Sequence, residues 1–150
     1  MQYEEVVLEE KVVVGLKART RNLDPNMPVV IGDLWRRFFE EGTYLAIEDK
    51  KNGATIGLYD AYEKGMDGYY DITVCAEVTN AHEIPKECII KHIPSGRYAK
   101  FKIKGHMQEA VVKFWAELWQ MDLERSYKAD FEEYVGGTPE ECDINIYIAI

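Results

Sequence analysis

The chain has 150 residues, with 18 Lys and Arg against 27 Asp and Glu and a formal net charge of −9. That length suits one ordinary domain with a sizeable core and is short for two, so residues 1–150 are expected to form a single unit. The acidity weighs against nucleic acid as a direct partner and against anionic membrane surfaces, and favours a cationic or neutral apolar molecule.

Three cysteines, Cys75, Cys88 and Cys142, have no C-x-x-C spacing, and His82, His92 and His106 follow no metal-ligand pattern. Neither a disulfide framework nor a metal site or cofactor is indicated. The opening "MQYEEVVLEEKVVVG" carries acids where a signal peptide needs bases, and no apolar run approaches the roughly 18 residues of a membrane helix. A reduced, cytoplasmic chain is expected.

In chain order, "VVLEEKVVVGLKART" is rich in β-branched residues and reads as a strand of about ten residues starting near Val6 or Lys11. Pro28 then leads a helix in which Ile31, Leu34, Trp35 and Phe38 recur at three- and four-residue spacing, stopped by Gly42. "ATIGLYDAY" and "YYDITVCAEV" read as a hairpin, and in the second strand Ile72, Val74, Ala76 and Val78 alternate with Asp71, Thr73, Cys75 and Glu77, as one buried face requires. A loop holding Pro85 and Pro94 follows. "GRYAKFKIKG" reads as a strand and "MQEAVVKFWAELWQMDL" as a second helix with Val111, Trp115, Leu118 and Trp119 along its stripe. The chain closes with "YKADFEEY", the turn "VGGTPEE" and the strand "CDINIYIAI".

The order strand, helix, strand, strand occurs twice, with half-repeats at about 1–80 and 91–150. Without a gap, residues 58–78 lie over 130–150, placing Asp60 on Glu132, Tyr59 on Phe131, Tyr62 on Tyr134 and Ile72 on Ile144. Two such halves, related by a pseudo-twofold axis, predict an α+β fold of duplicated β-α-β-β units. One antiparallel sheet would carry two helices flanking a central groove.

The run "ADFEEYVGG" sets two acids, Glu132 and Glu133, between Phe131 and Tyr134. An exposed face of the strand explains one of them, not both. Tyr127, Ala129 and Phe131 form the apolar parity of the strand, so simple alternation turns Glu132 to the opposite face, and a bulge or bend is needed to bring it beside the aromatic residues.

"IPSGRYAKFKIKG" leading into the second helix, "DGYYDITVCAEV", and "DFEEY" followed by "CDINIYIAI" together resemble the GyrI-like family, the small-molecule-binding domain also found as the effector-binding part of AraC-type and MerR-type regulators. The resemblance spans essentially the whole chain. It implies a groove for lipophilic, often cationic aromatic ligands, in which the acid after the aromatic of F-E-x-Y is the recognition group. That acid is Glu132, flanked by Phe131 and Tyr134, with Glu133 left to solvent.

Trp115 and Trp119 suit either core or groove wall, whereas Trp35 reads rather as core. Tyr59 and Asp60 enter as the repeat counterparts of Phe131 and Glu132. Tyr147, opposite the parity of Ile144, Ile146 and Ile148, faces either solvent or the groove. The expected function is a stand-alone drug- or toxin-binding module. The alternatives attached to the resemblance are a hydrolase opening cyclopropane-containing toxins with Glu132 as general base, and a protein-interaction inhibitor of a topoisomerase.

Overall fold

The alternating and helical apolar patterns fold into eight strands and three helices in the computed structural model, which describes residues 1–150. Their order is β1 (Glu4–Leu8), β2 (Lys11–Thr20), α1 (Met27–Glu40), α2 (Thr43–Ala46), β3 (Thr55–Asp60), β4 (Tyr70–Glu77), β5 (Ile89–Ile93), β6 (Gly96–Gly105), α3 (Glu109–Leu118), β7 (Ala129–Thr138) and β8 (Glu141–Ala149). Pro28 lies in the first turn of α1, where its missing N–H costs nothing, and Gly42 follows the helix at φ 78°, a left-handed conformation that glycine adopts freely. No helix is long and apolar enough to cross a membrane.

Two expectations need correction. The β-branched N-terminal stretch is two strands rather than one, broken at Glu9 and Glu10, and the two join different parts of the sheet: β1 pairs with β6, whereas β2 lies between β4 and β5. The segment between Pro85 and Pro94, read as loop, holds β5, an edge strand whose partner β2 is remote in the chain. Prolines at both ends and a non-local partner left it with little local signal. The short helix α2 was also not anticipated.

All strands join one antiparallel sheet in the order β1-β6-β8-β7-β3-β4-β2-β5. Exchanging β1 to β4 with β5 to β8 reverses this order and leaves it otherwise unchanged. The repeat is therefore strand, strand, helix, strand, strand, and the leading strand of each half pairs across with the second strand of the other.

Strand register also corrects the internal alignment. Tyr59 pairs with Ile72, and Tyr134 pairs with Ile144. Superposing Ile72 on Ile144 therefore puts Tyr59 on Tyr134 and Gly57 on Glu132, three residues away from the gap-free match that set Asp60 on Glu132. The two hairpins have connections of different length, so no single offset serves both of their strands. Gly57 and Glu132 are also direct partners across β3 and β7, which places the pseudo-twofold axis at this pair.

Both faces of the sheet are buried, by different means. On one face Leu34 and Phe38 of α1 pack on Val14 and Leu16 of β2 and Ile72, Val74 and Ala76 of β4, while Phe114 and Leu118 of α3 pack on Phe101 of β6 and Ile144, Ile146 and Ile148 of β8. The opposite face has no helix. It curls on itself around Val13, Ile56, Leu58, Cys75, Ile93, Tyr98, Phe131 and Tyr147. Every residue of β4 is accordingly buried, not one face of it as the alternation suggested. Because α1 covers β2 and β4 and α3 covers β6 and β8, the central pair β3 and β7 is left as the floor of a groove between the helices.

Candidate functional site

The groove encloses a cavity of about 450 Å³, walled by α1 and α3 and floored by the side chains of β3 and β7 that point toward the helices. Alternation fixes which these are: Tyr59 on β3, and Glu132 and Tyr134 on β7, all three lining the cavity. No bulge is needed to bring Glu132 there. The irregularity of β7 lies beyond it, between Tyr134 and Gly136, and pairing is regular from Asp130 to Tyr134. Glu132 does face away from Phe131, as alternation requires; the face it turns to is the helix-covered one rather than a wet one.

Glu132 is 1% exposed and accepts three hydrogen bonds: from Trp115 Nε1 at 2.7 Å and Tyr59 Oη at 2.9 Å on Oε2, and from Tyr134 Oη at 2.8 Å on Oε1. Gly57 across the floor makes room for it, since a Cβ at that position would lie 3.0 Å from Oε1 and 3.4 Å from Trp35 Cζ2. Burial pushes the carboxyl above the ordinary Glu value, and the three donors, which favour the ionised form, pull it back part of the way. The same burial, together with the adjacent carboxylate, holds the Tyr59 and Tyr134 hydroxyls well above the usual tyrosine range, so both remain donors. Tyr70, farther along the wall, is pushed up to about 12 by burial and by Glu132.

The buried acids of the protein are Asp71, Glu77, Asp130 and Glu132. Asp71 is paired with Lys91 and Arg19, Glu77 with Lys11 and Lys51, and Asp130 with Arg125. Only Glu132 has hydrogen-bond donors and no cation. Asp130, two residues earlier on the same face, is fully buried and held by Arg125 Nη2 at 2.6 Å, the Tyr62 hydroxyl and the Ala149 backbone N–H. Arg125 lines the same cavity, stacked over Tyr127 at 4.3 Å, so the Asp130 charge is already neutralised at the wall.

Of the residues singled out from sequence, Glu132, Tyr134, Trp115, Trp119 and Tyr59 line the cavity. Three do not. Phe131 is fully buried on the opposite face, stacked on Tyr147 at 4.5 Å, and Tyr147 belongs to that same core, facing neither solvent nor groove. Asp60 also turns to the opposite face, where it accepts from Lys91 Nζ at 3.0 Å. Trp35, read as core, is half-buried and lines the cavity opposite Trp115. Tyr62, Tyr70 and Arg125 were missed: they come from loops or strand ends whose position no periodicity reports. The "DLWRRFF" and "KFWAELW" repeat carried the signal for Trp35. No Ser, Thr, Cys, Lys or His lines the cavity; its polar side chains besides Glu132 are Asn22, Gln108, Arg125, the tyrosines and the tryptophans. No group of three or more His, Cys, Asp and Glu side chains is gathered as a metal site.

Residues 6–150 match the family described as Cass2, integron-associated effector binding protein. The Bacillus subtilis (strain 168) protein YobU, a candidate transcriptional regulator, is 28% identical over 153 residues, covering 95% of this chain and 94% of YobU. Among solved structures, the Vibrio cholerae integron cassette protein VCH_CASS2 superposes with a TM-score of 0.76 at 25% identity, over 97% of this chain and 95% of that one. SAV2435 bound to tetraphenylphosphonium superposes equally well, with a TM-score of 0.76 at 22% identity over 99% and 94% of the two chains, a likeness of fold.

Proposed function

Because the chain belongs to the Cass2 family of integron-associated effector-binding proteins, we propose that it is a small-molecule-binding module whose groove takes lipophilic, positively charged aromatic ligands with Glu132 as their counter-ion. The observation that carries this reading is the uncompensated acid: Glu132 is buried among aromatic rings with three donors and no cation, while every other buried acid is ion-paired.

Burying an unpaired carboxylate is costly, and hydrogen bonds recover only part of its lost hydration. A cation entering the cavity supplies the missing partner where water screens poorly. The rings of Trp35, Trp115, Tyr59 and Tyr134 add attraction of roughly 0.5 to 2 kcal/mol for each face that meets the charge. SAV2435, which shares the fold, is described with tetraphenylphosphonium bound, a ligand of this chemistry. YobU, a candidate regulator similar along nearly the whole chain, supports a role in which ligand occupancy is a signal. Neither a hydrolytic role for Glu132 nor inhibition of a topoisomerase has a specific observation in its favour.

Tetraphenylphosphonium and tetraphenylborate, nearly equal in shape and opposite in charge, test the reading by calorimetric titration. The cation is expected to bind and the anion not. Glu132→Gln should weaken the cation by roughly 10- to 150-fold, the equivalent of about 1.5 to 3 kcal/mol for one charge-assisted contact, with Glu133→Gln nearly neutral. Equal affinity for the two ions, or equal losses at the two positions, would overturn it.

A further inference from the structure

We infer that the groove selects ligands whose positive charge lies at the centre of the molecule between two flat apolar arms, over ligands with the charge at one end. This rests on the cationic reading of the same site and adds the shape of the ligand to it.

The inference comes from the symmetry of the cavity. The axis relating the two halves passes between Gly57 and Glu132, so the acid stands beside it, between the two halves of the groove. Aligning α1 on α3 by Trp35 and Trp115 aligns Met27 with Met107 and Ile31 with Val111, and all six side chains line the cavity. The floor repeats in the same way. Trp35 meets Tyr134 edge-on, with centroids 5.2 Å apart and planes at 81°, and Trp115 meets Tyr59 at 5.3 Å and 65°. Each tryptophan thus leans on the tyrosine of the opposite half, so a similar aromatic pair walls a slot on each side of Glu132, with Tyr134 bonded to Oε1 and Trp115 and Tyr59 to Oε2.

The symmetry is incomplete: Asn22, Tyr62, Met66, Tyr70 and Arg125 line the cavity without counterparts, and Arg125 lies over the Trp115 ring at 5.9 Å. Trp115 donates its indole N–H to Glu132, whereas Trp35 is stacked on Phe39 at 6.0 Å. The two Trp–Tyr pairs are alike in arrangement while a single carboxylate serves both. Glu133, the neighbouring acid, pairs with Ile56 on the opposite face and adds no second charge to the groove. A ligand with a central cation satisfies the acid and fills both slots together. A cation at the end of a two-ring molecule either leaves one slot empty or moves the charge an arm's length from Glu132, where Coulomb attraction falls with distance.

Two isomeric permanent cations separate these cases. Dibenzyldimethylammonium carries its nitrogen between two rings, and (4-benzylphenyl)trimethylammonium carries it at one end, with the same atoms and charge. The neutral comparator is 2,2-dimethyl-1,3-diphenylpropane, in which carbon replaces the central nitrogen. All three are titrated into the wild-type protein and into Glu132→Gln.

The central cation is expected to bind about tenfold or more tighter than its isomer to the wild type, a difference of about 1.4 kcal/mol. That preference should shrink to within about threefold in Glu132→Gln, because with the charge gone only apolar fit remains. Isomers of equal affinity, or a tighter terminal cation, overturn the inference. If both cations lose affinity equally in Glu132→Gln, the cationic reading stands and only the two-armed geometry falls. If neither binds better than the neutral hydrocarbon, both fall together.

Discussion

Gly57 and Glu132 face each other across β3 and β7, and the space that a side chain at residue 57 would fill is taken by the carboxylate of its partner. The two are equivalent positions of the duplicated fold. A carboxylate at both would put like charges against one another on the axis, and a side chain at both would crowd the floor. One half contributes the acid and the other contributes room.

Gly57→Ala tests that division. The new methyl would press on Glu132 Oε1 at 3.0 Å and on Trp35 Cζ2 at 3.4 Å, so the carboxylate must give slightly against the three hydrogen bonds that hold it. Crowding of this kind costs about 1 to 3 kcal/mol. Affinity for tetraphenylphosphonium is expected to fall by roughly tenfold, the equivalent of about 1.4 kcal/mol. Undiminished affinity in a titration would mean that the glycine is not what seats the acid.

Acidity should move stability and binding in opposite directions. Burial holds the Glu132 carboxyl above the ordinary 4.5, against hydrogen bonds from Trp115, Tyr134 and Tyr59 that lower it. The folded state then binds the proton more tightly than the unfolded state. The contribution of this group to stability is therefore full below the unfolded value and is lost as pH rises through the folded one. The melting temperature of wild type minus that of Glu132→Gln is expected to fall as pH rises above the ordinary Glu value. Affinity for a cation needs the ionised form, so it should rise through the same window. Trp115→Phe removes a donor that favours ionisation and should carry that midpoint to higher pH; a difference flat with pH would place the titration elsewhere.

Much of this was legible in the sequence, and the rest was hidden for identifiable reasons. Helical spacing marked α1 and α3, and turn residues marked the hairpins, because those signals are local. The duplication was visible as element order, yet the gap-free alignment named Asp60 and Phe131 where register gives Gly57 and Tyr134, since hairpin connections of unequal length shift one strand against the other. Phe131 was misplaced by its position in the F-E-x-Y resemblance, and Tyr147 by the assumption that a sheet has one apolar face. Here the sheet curls on itself and buries both, so polarity along β7 did not say which face was the groove. Glu132 itself came from the F-E-x-Y resemblance, and no periodicity would have found it.

The crossed edge strands make the halves interdependent. β1 finds its partner β6, and β5 its partner β2, in the opposite half, and β3 and β7 join the halves at the centre. Fragments 1–85 and 86–150, expressed separately, would each lose an edge strand and leave a central strand unpaired. Neither is expected to show a cooperative thermal transition alone, and mixing them should restore one. A cooperative melt of either fragment by itself would show that a half-unit suffices as a folding unit.

Asp130→Asn separates the two acids of the groove face. Asn keeps the size of the side chain and can still meet Tyr62 and the Ala149 N–H, but Arg125, with a side chain only 7% exposed, loses its counter-ion. Burial works against the Arg125 charge and the Asp130 carboxylate sustains it, so breaking the pair is expected to cost about 3 to 5 kcal/mol in urea denaturation. The bare guanidinium would remain in the cavity wall and repel an incoming cation, so affinity for tetraphenylphosphonium should fall although Glu132 is intact. Removing both charges, as Arg125→Met with Asp130→Asn, should recover most of that affinity, because Glu132 is then again the single net charge in the groove. If the double variant binds the cation no better than Asp130→Asn alone, the ion pair acts through the shape of the wall and not through its charge.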